Sequence, residues 1–196
     1  MKISKAFVTG SKGFLFSGIK QYLNIKETNK NIVDITEDDM KDCDILIHFA
    51  SPSDSEDFKD AQKMRDMLKG SINVFDIAMK NNIKIIFASS MAAENPENTY
   101  GYFKKALELY LEGYDNKLIL RIPRVYGKNR NKGLIKRLKS KTFEGTKNKS
   151  LDFMDIEDWV KETISILHKT GFYEYNNLQT KTIMEIERIY IKNVED

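Results

Sequence analysis

Short, strongly apolar runs alternate along this chain with longer stretches whose apolar residues recur every three or four positions. Residues 5–9 (KAFVT), 45–50 (ILIHFA), 84–88 (KIIFA) and 117–122 (KLILRI) are compact and rich in β-branched or aromatic side chains. They lack the alternation of a sheet with one wet face, so they predict strands buried on both sides. Residues 13–23, 61–80 and 99–112 carry the helical period. Residues 31–35 (NIVDI) are a weaker strand candidate. Beyond residue 127 the pattern loosens, then resumes as a helix from about 155 to 169, a short strand in FYEYNN and a last helix near 182–192. Strands alternating with helices predict βαβ units, hence an α/β fold: a doubly wound parallel sheet with helices on both faces. No repeat or linker divides it, so one domain over residues 1–196 is expected.

In such sheets ligands sit beyond the carboxyl ends of the strands, where the strand order reverses. The first run leads into Thr9-Gly10-Ser11-Lys12-Gly13, the second into Ser51, the third into Ser89-Ser90 and the last into Pro123-Arg124-Val125-Tyr126-Gly127. Gly10 and Gly13 allow a sharp strand-to-helix turn whose bare amides, together with the helix dipole, suit a diphosphate. Small, hydroxylated and basic groups are thus predicted to meet along one edge.

Composition narrows the field. With 41% hydrophobic and 31% charged residues and only 3 Pro in 196, the chain reads as globular rather than disordered. Cys43 is the single cysteine, which leaves no intramolecular disulfide or thiol pair for zinc, and the opening residues lack an apolar signal core. A cytoplasmic protein with no membrane span is expected. Net charge is only +3, yet residues 128–149 hold nine basic residues against one acid, Glu144. That asymmetry suggests an anionic ligand. Nucleic acid is not expected, because aromatic residues are not interleaved with the basic ones. No metal is expected either: Glu37, Asp38 and Asp39 read as a helix start, His48 as a satisfied core histidine, and Trp159 as core.

Tyr100 and Lys104 are four apart on a predicted helix, and Ser90 lies just past a strand end. A hydride moving to or from a carbon that bears oxygen must be matched by a proton on that oxygen. A phenol with a pKa near 10 is a poor base at neutral pH; a nearby cation that lowers it by roughly three units supplies about 4 kcal/mol. Tyr22 and Lys26 repeat the spacing, but no strand-end serine precedes them.

Taken together, VTGSKGFLF, the strand-end serine and the Tyr-x-x-x-Lys pair resemble the extended short-chain dehydrogenase/reductase family, in its branch of sugar-nucleotide epimerases, dehydratases and reductases. The resemblance implies a Rossmann-like fold, NAD or NADP as cofactor, a nucleotide-activated sugar as substrate, and Ser90, Tyr100 and Lys104 as catalytic groups, with Lys104 also touching the nicotinamide ribose. Cofactor contacts are implied at Gly10, Ser11, Lys12, Gly13, Phe14 and Leu15, at Asp34 and Ile35, at Phe49, Ala50 and Ser51, and at Pro123 and Val125. Lys12 could pair with a 2′-phosphate and tips the choice slightly to NADP. Asp34, 24 residues past Gly10, could instead hold an unphosphorylated ribose. KLILRIPRVYGKN resembles the family's fifth strand and its sequel, with Arg124 where many relatives carry an asparagine near substrate phosphates; Arg124, and Lys132 and Arg137 of the basic segment, are expected to take those phosphates.

The departures are specific. Phe16 stands where the family has a third glycine, so the helix must shift outward or Gly18 must relieve the crowding. Leu151 replaces an arginine, the step from Ser90 to Tyr100 is short, and roughly the last third of the family's length is missing, leaving residues 128–196 as a reduced substrate region. Met91 and Ala92 fall where a dehydratase places its acid and base, which leaves a reductase or an epimerase as the expected activity. A homodimer built through the helix of Tyr100 is implied by resemblance alone. The opposing expectation, fed by the same departures, is a non-catalytic dinucleotide-binding sensor or accessory protein.

Overall fold

The computed structural model describes residues 5–51, 58, 60–127 and 129–191. Six parallel strands form the main sheet: β1 (Lys5–Thr9), β2 (Asn24–Glu27), β3 (Ile45–His48), β4 (Lys84–Ser90), β5 (Lys117–Ile122) and β8 (Gly171–Glu174). Their spatial order is β2-β1-β3-β4-β5-β8. The chain therefore reverses its winding between β1 and β3, as a doubly wound fold requires.

Helices cover both faces. α1 (Phe14–Ile19) and α6 (Ile156–Ile166) close one side through Phe16, Ile19, Trp159 and Val160 packed on Val8, Ile47 and Leu120. On the other side α3 (Ala61–Lys80) and α4 (Thr99–Tyr110) bring Val74, Phe75, Phe103 and Leu107 against Phe7, Leu46, Phe87 and Ile119. Strand residues alternate between these two cores, so every side chain of β3 and β4 that the pattern marked as apolar is used. Each such fully buried side chain contributes about 1.5–3 kcal/mol of transfer free energy. Among the described residues no helix is long and apolar enough to cross a membrane.

The weak strand expected at 31–35 is not a strand. Its apolar residues form a 3-10 turn, Ile32–Asp34, lodged under α3, where a Cβ on Gly70 would lie 2.4 Å from Ile32. Asn73 Nδ2 donates to the Ile35 carbonyl at 2.8 Å and so replaces a ladder bond. The edge strand is instead the polar NIKE of β2, held to β1 by backbone pairing (Phe7 with Lys26, Val8 with Glu27). Hydrophobicity at 31–35 reported burial against a helix rather than membership of the sheet. The short α2 (Glu37–Met40) follows, started by a Thr36–Asp39 capping box, so the acidic run is a helix start.

His48 closes β3 fully buried. Ser71 Oγ donates to the Met67 carbonyl, so its oxygen accepts from His48 Nε2 at 3.0 Å, and Nδ1 accepts from Thr9 Oγ1 at 2.7 Å. Burial drives its pKa down to about 3, with Lys104 adding repulsion. It is a neutral structural link between β1, β3 and α3.

The C-terminal part is shared between two bodies. α6 and β8 return to the main sheet, while β6 (Val125–Tyr126), β7 (Ser150–Asp155) and β9 (Gln179–Thr182) build a small three-stranded sheet flanked by α5 (Gly133–Lys139) and α7 (Ile183–Tyr190). Tyr126, Ile135, Phe153, Ile186 and Tyr190 form its own core.

Candidate active site

A groove of about 1220 Å³ runs over the carboxyl ends of β1, β3, β4 and β5. At one end is the β1–α1 turn. Gly10 has φ +76°, and a Cβ there would meet the Ala50 nitrogen at 2.6 Å, so the turn is pressed on the exit of β3. Gly13 donates to the Gly10 carbonyl at 2.9 Å and precedes α1 without any side-chain cap, so no side chain of the N-cap occupies the first-turn amides. Gly10, Gly13, Lys12, Phe14 and Leu15 line the groove, as do Phe49, Ala50 and Ser51. Phe16 does not plug it: only 1% exposed, its ring sits in the core 6.4 Å from that of Phe49. Gly18 is where α1 and α6 close on each other, since a Cβ would lie 2.9 Å from Val160.

At the other end are Ser90, Tyr100 and Lys104. β4 extends through Ser90, and its alternation separates the two serines: Ser89 donates to the buried Glu108 carboxylate at 2.6 Å, while Ser90 hydrogen-bonds the Tyr100 phenol and accepts from the Ala92 amide at 3.2 Å. The short step to Tyr100 is filled by a 3-10 turn, Met91–Ala93, and by the Asn98 cap on the Gly101 amide. Gly101 is required there, because a Cβ would stand 2.5 Å from the Ala92 carbonyl oxygen. Burial pushes the half-buried Tyr100 phenol up, while the Ser90 hydrogen bond and the charge of Arg130 pull it down.

Lys104 is 3% exposed. Its ammonium donates to the Ala88 carbonyl at 2.6 Å and lies 6.0 Å from the centre of the Tyr100 ring. Burial lowers its pKa to about 7, and the Glu108 carboxylate works in the opposite direction. Glu108 is held in turn by Arg121 at 3.0 Å.

Pro123, Arg124, Val125 and Lys132 line the groove between these ends. Four expected residues do not. Ser11 lies in the turn away from the lining, Asp34 and Ile35 belong to the 3-10 turn under α3, and Arg137 is exposed with its guanidinium over Phe143. The carboxylate at the end of β2 is Glu27, ion-paired with Lys20 at 2.6 Å. The basic segment also spreads out: Lys147 pairs with Glu187 and Lys139 reaches the Arg130 carbonyl, while Lys132 lines the groove. Within that segment Arg130 does line the groove, a residue that counting charges noted only as one of nine.

Residues 21–176 match the model of the NAD dependent epimerase/dehydratase family. The chain belongs to that family. The match begins after the glycine turn, so the turn is a separate observation. Among solved structures, a UDP-glucuronic acid 4-epimerase from Bacillus cereus in complex with NAD shares 18% identity at a TM-score of 0.80, over 98% of this chain and 85% of that one. A dTDP-4-dehydrorhamnose reductase from Bacillus anthracis in complex with NADP shares 18% at 0.77, over 100% and 82%. The Bordetella bronchiseptica enzyme WbmG in complex with NAD and UDP shares 19% at 0.74, over 97% and 78%. At these identities the likeness concerns the fold. The shortfall in length is smaller than the third that the resemblance implies. No curated protein sequence matches this chain.

Proposed function

We propose that the protein is an NAD(P)-dependent reductase or epimerase of a nucleotide-activated sugar. One observation supports this most: a glycine turn fit for a diphosphate and a Ser90–Tyr100–Lys104 group open into the same groove, whose size exceeds the roughly 300–1,000 Å³ of an ordinary small-ligand site. A bound nicotinamide dinucleotide would supply or take up the hydride. The chain's own groups handle the proton. In reduction, Tyr100 gives its hydroxyl proton to the sugar oxygen as the C–H bond forms; in oxidation it takes that proton back. Ser90 donates to the same oxygen and fixes its place. Lys104 braces the end of β4 and meets the ribose, while Arg124 and Lys132 face the substrate phosphates. Met91 and Ala92 carry no transferable proton, which favours reduction or epimerisation over dehydration. With Asp34 outside the groove and Lys12 on its edge, NADP is the preferred cofactor. Tyr102, Leu109 and Tyr110 are exposed on α4, which suits a homodimer through that helix.

Titration with NADH and NADPH tests the reading, followed by melting temperature and by the emission of Trp159, whose ring lies 6.3 Å from the groove residue Phe49. A ligand at 100 times its Kd stabilises by about 2.7 kcal/mol, so a rise is expected with at least one of them. No shift with either at millimolar concentration removes the oxidoreductase reading. Binding without turnover of any UDP- or dTDP-sugar would instead favour the sensor.

A further inference from the structure

We propose that Arg130 is the guanidinium that takes a diphosphate in this groove, presented from the loop after β6 and held ready on the ring of Phe14. Whether that diphosphate belongs to the cofactor or to the substrate rests on the function proposed above; the anion site itself does not.

Two short segments build the seat. The Arg130 amide donates to the Gly127 carbonyl at 3.0 Å, which ties its backbone to the end of β6, and its own carbonyl accepts from Lys139 Nζ at 3.4 Å. Both ends of this loop rest on one ring: a Cβ on Gly127 would lie 3.2 Å from Phe14 Cζ, and the Arg130 guanidinium lies 5.2 Å from the centre of the same ring. Phe14 directly follows Gly13 of the glycine turn and, like Arg130, lines the groove. Backbone and side chain are thus in place beforehand, and little conformational freedom is left to lose when a ligand binds.

The seat lacks a counter-charge. A guanidinium drawn out of water is ordinarily paired with a carboxylate. Arg130 is half-buried, its Nε is shielded from solvent with no hydrogen-bond partner, and among the described residues no carboxylate pairs with it. The Phe14 ring attracts the charge but supplies no oxygen to its donors. The surroundings are cationic as well: Lys12, Lys104, Arg124, Arg130 and Lys132 line the groove against one carboxylate among the described residues, Asp152, which receives the Thr180 hydroxyl at 2.7 Å. Lys12, Arg124 and Lys132 are exposed to water, and the Lys104 ammonium donates to the Ala88 carbonyl. Arg130 is therefore the groove cation that is both withdrawn from water and incompletely paired. Such an excess of charge selects an anion, and the planar fork of a guanidinium matches two oxygens of a phosphate. The groove's size suits a nucleotide rather than a lone carboxylate. Arg137 shows the contrast within the same basic segment: its guanidinium also lies over a phenylalanine, 5.8 Å from the centre of Phe143, but it is exposed and does not line the groove.

Calorimetric titration with UDP and, separately, with NADH tests the site and distinguishes the two sources without any turnover. In Arg130→Gln the affinity for one or both is expected to fall about tenfold or more, the usual consequence of losing a charge-assisted hydrogen bond, while Arg137→Gln binds both as the native protein does. A loss confined to UDP puts the guanidinium on the substrate's diphosphate and a loss confined to NADH puts it on the cofactor's; either supports the site. Unchanged affinity for both, or an equal loss in Arg137→Gln, overturns the proposal, as does a native protein that binds neither. If Arg130→Gln loses its helical circular dichroism, Arg130→Lys, which keeps the charge without the planar fork, is expected to weaken binding by a smaller factor; native affinity for both ligands there overturns the proposal equally. Failure of NADH and NADPH to bind would remove the oxidoreductase reading and leave the UDP titration intact, whereas NADH and UDP bound equally well by native and Arg130→Gln protein would remove only the role of Arg130.

Discussion

The chain contains the same five-residue Tyr-x-x-x-Lys motif twice, and the two copies meet opposite fates. Tyr22 ends a 3-10 turn after α1 and is 56% exposed, while Lys26 belongs to the edge strand β2, so the pair is split between two elements. Tyr100 and Lys104 lie on one helix that starts against the end of β4, with a strand-end serine facing the phenol and a sheet carbonyl receiving the ammonium. Four-residue spacing is therefore only a precondition. What sets the second pair apart is desolvation of both groups at the carboxyl edge of a parallel sheet, where strand ends and helix starts converge.

Substitutions that treat the two pairs alike sharpen this contrast. The largest effect is expected for Tyr100→Phe, with turnover of a sugar-nucleotide substrate falling about 10²–10⁴-fold, the usual worth of general acid–base catalysis, and cofactor-induced stabilisation retained. Tyr22→Phe should leave both unchanged. If Tyr100→Phe remains active, the proton path lies elsewhere.

Next comes the seating of α4. Gly101→Ala drives a Cβ into the Ala92 carbonyl, which cannot yield without shifting the helix start. Chemical denaturation should register a loss of about 1–3 kcal/mol, together with weakened turnover. An alanine tolerated within experimental error would mean that the short connection is looser than its geometry.

The lysines separate by pH. Folded Lys104, lowered to about 7 by burial, binds fewer protons than its unfolded form between about pH 7 and pH 10.5. The unfolded state then holds the extra proton, so this group makes stability rise with pH across that window, by up to about 1.4 kcal/mol per unit. Lys104→Met should flatten that part of the stability profile and Lys26→Met should not; equal slopes in both variants would contradict a desolvated Lys104. His48 works by the same sign at lower pH: with a folded value of about 3, its contribution is lost as pH falls below about 6.5, and His48→Asn should reduce the acid-side slope.

The smallest effect is reserved for Lys12, exposed at the groove rim. Lys12→Ala should narrow the margin by which NADPH stabilises the protein over NADH, by about 1 kcal/mol or less, as befits an exposed charge. A native preference for NADH would assign the ribose to Glu27 at the end of β2.

Much of this architecture was legible beforehand. The four inner strands and the helices carrying Tyr100 and Trp159 follow from periodicity, because burial on both faces leaves no room for polar alternation in a strand and one apolar stripe suffices for a helix. The glycine turn, Ser90, Tyr100 and Lys104 line one groove, as the reading of element boundaries expected of them. The errors share a cause. NIVDI was apolar for the sake of α3, and the true edge strand NIKE is polar because an edge needs only backbone partners. Asp34 and Arg137 had the right chemistry at positions that point elsewhere.

Sequence alone, then, determined the element types, the winding of the sheet and the residue kinds at its carboxyl edge, since these depend on local propensity and on the period of burial. Only the tertiary structure decided which charges reach the groove. It brought Arg130 from a loop after β6 to Phe14 after β1, turned Lys104 onto a strand carbonyl, and placed Asp34 under a helix. Long-range packing sets the distances over which charges act, and no spacing along the chain encodes them.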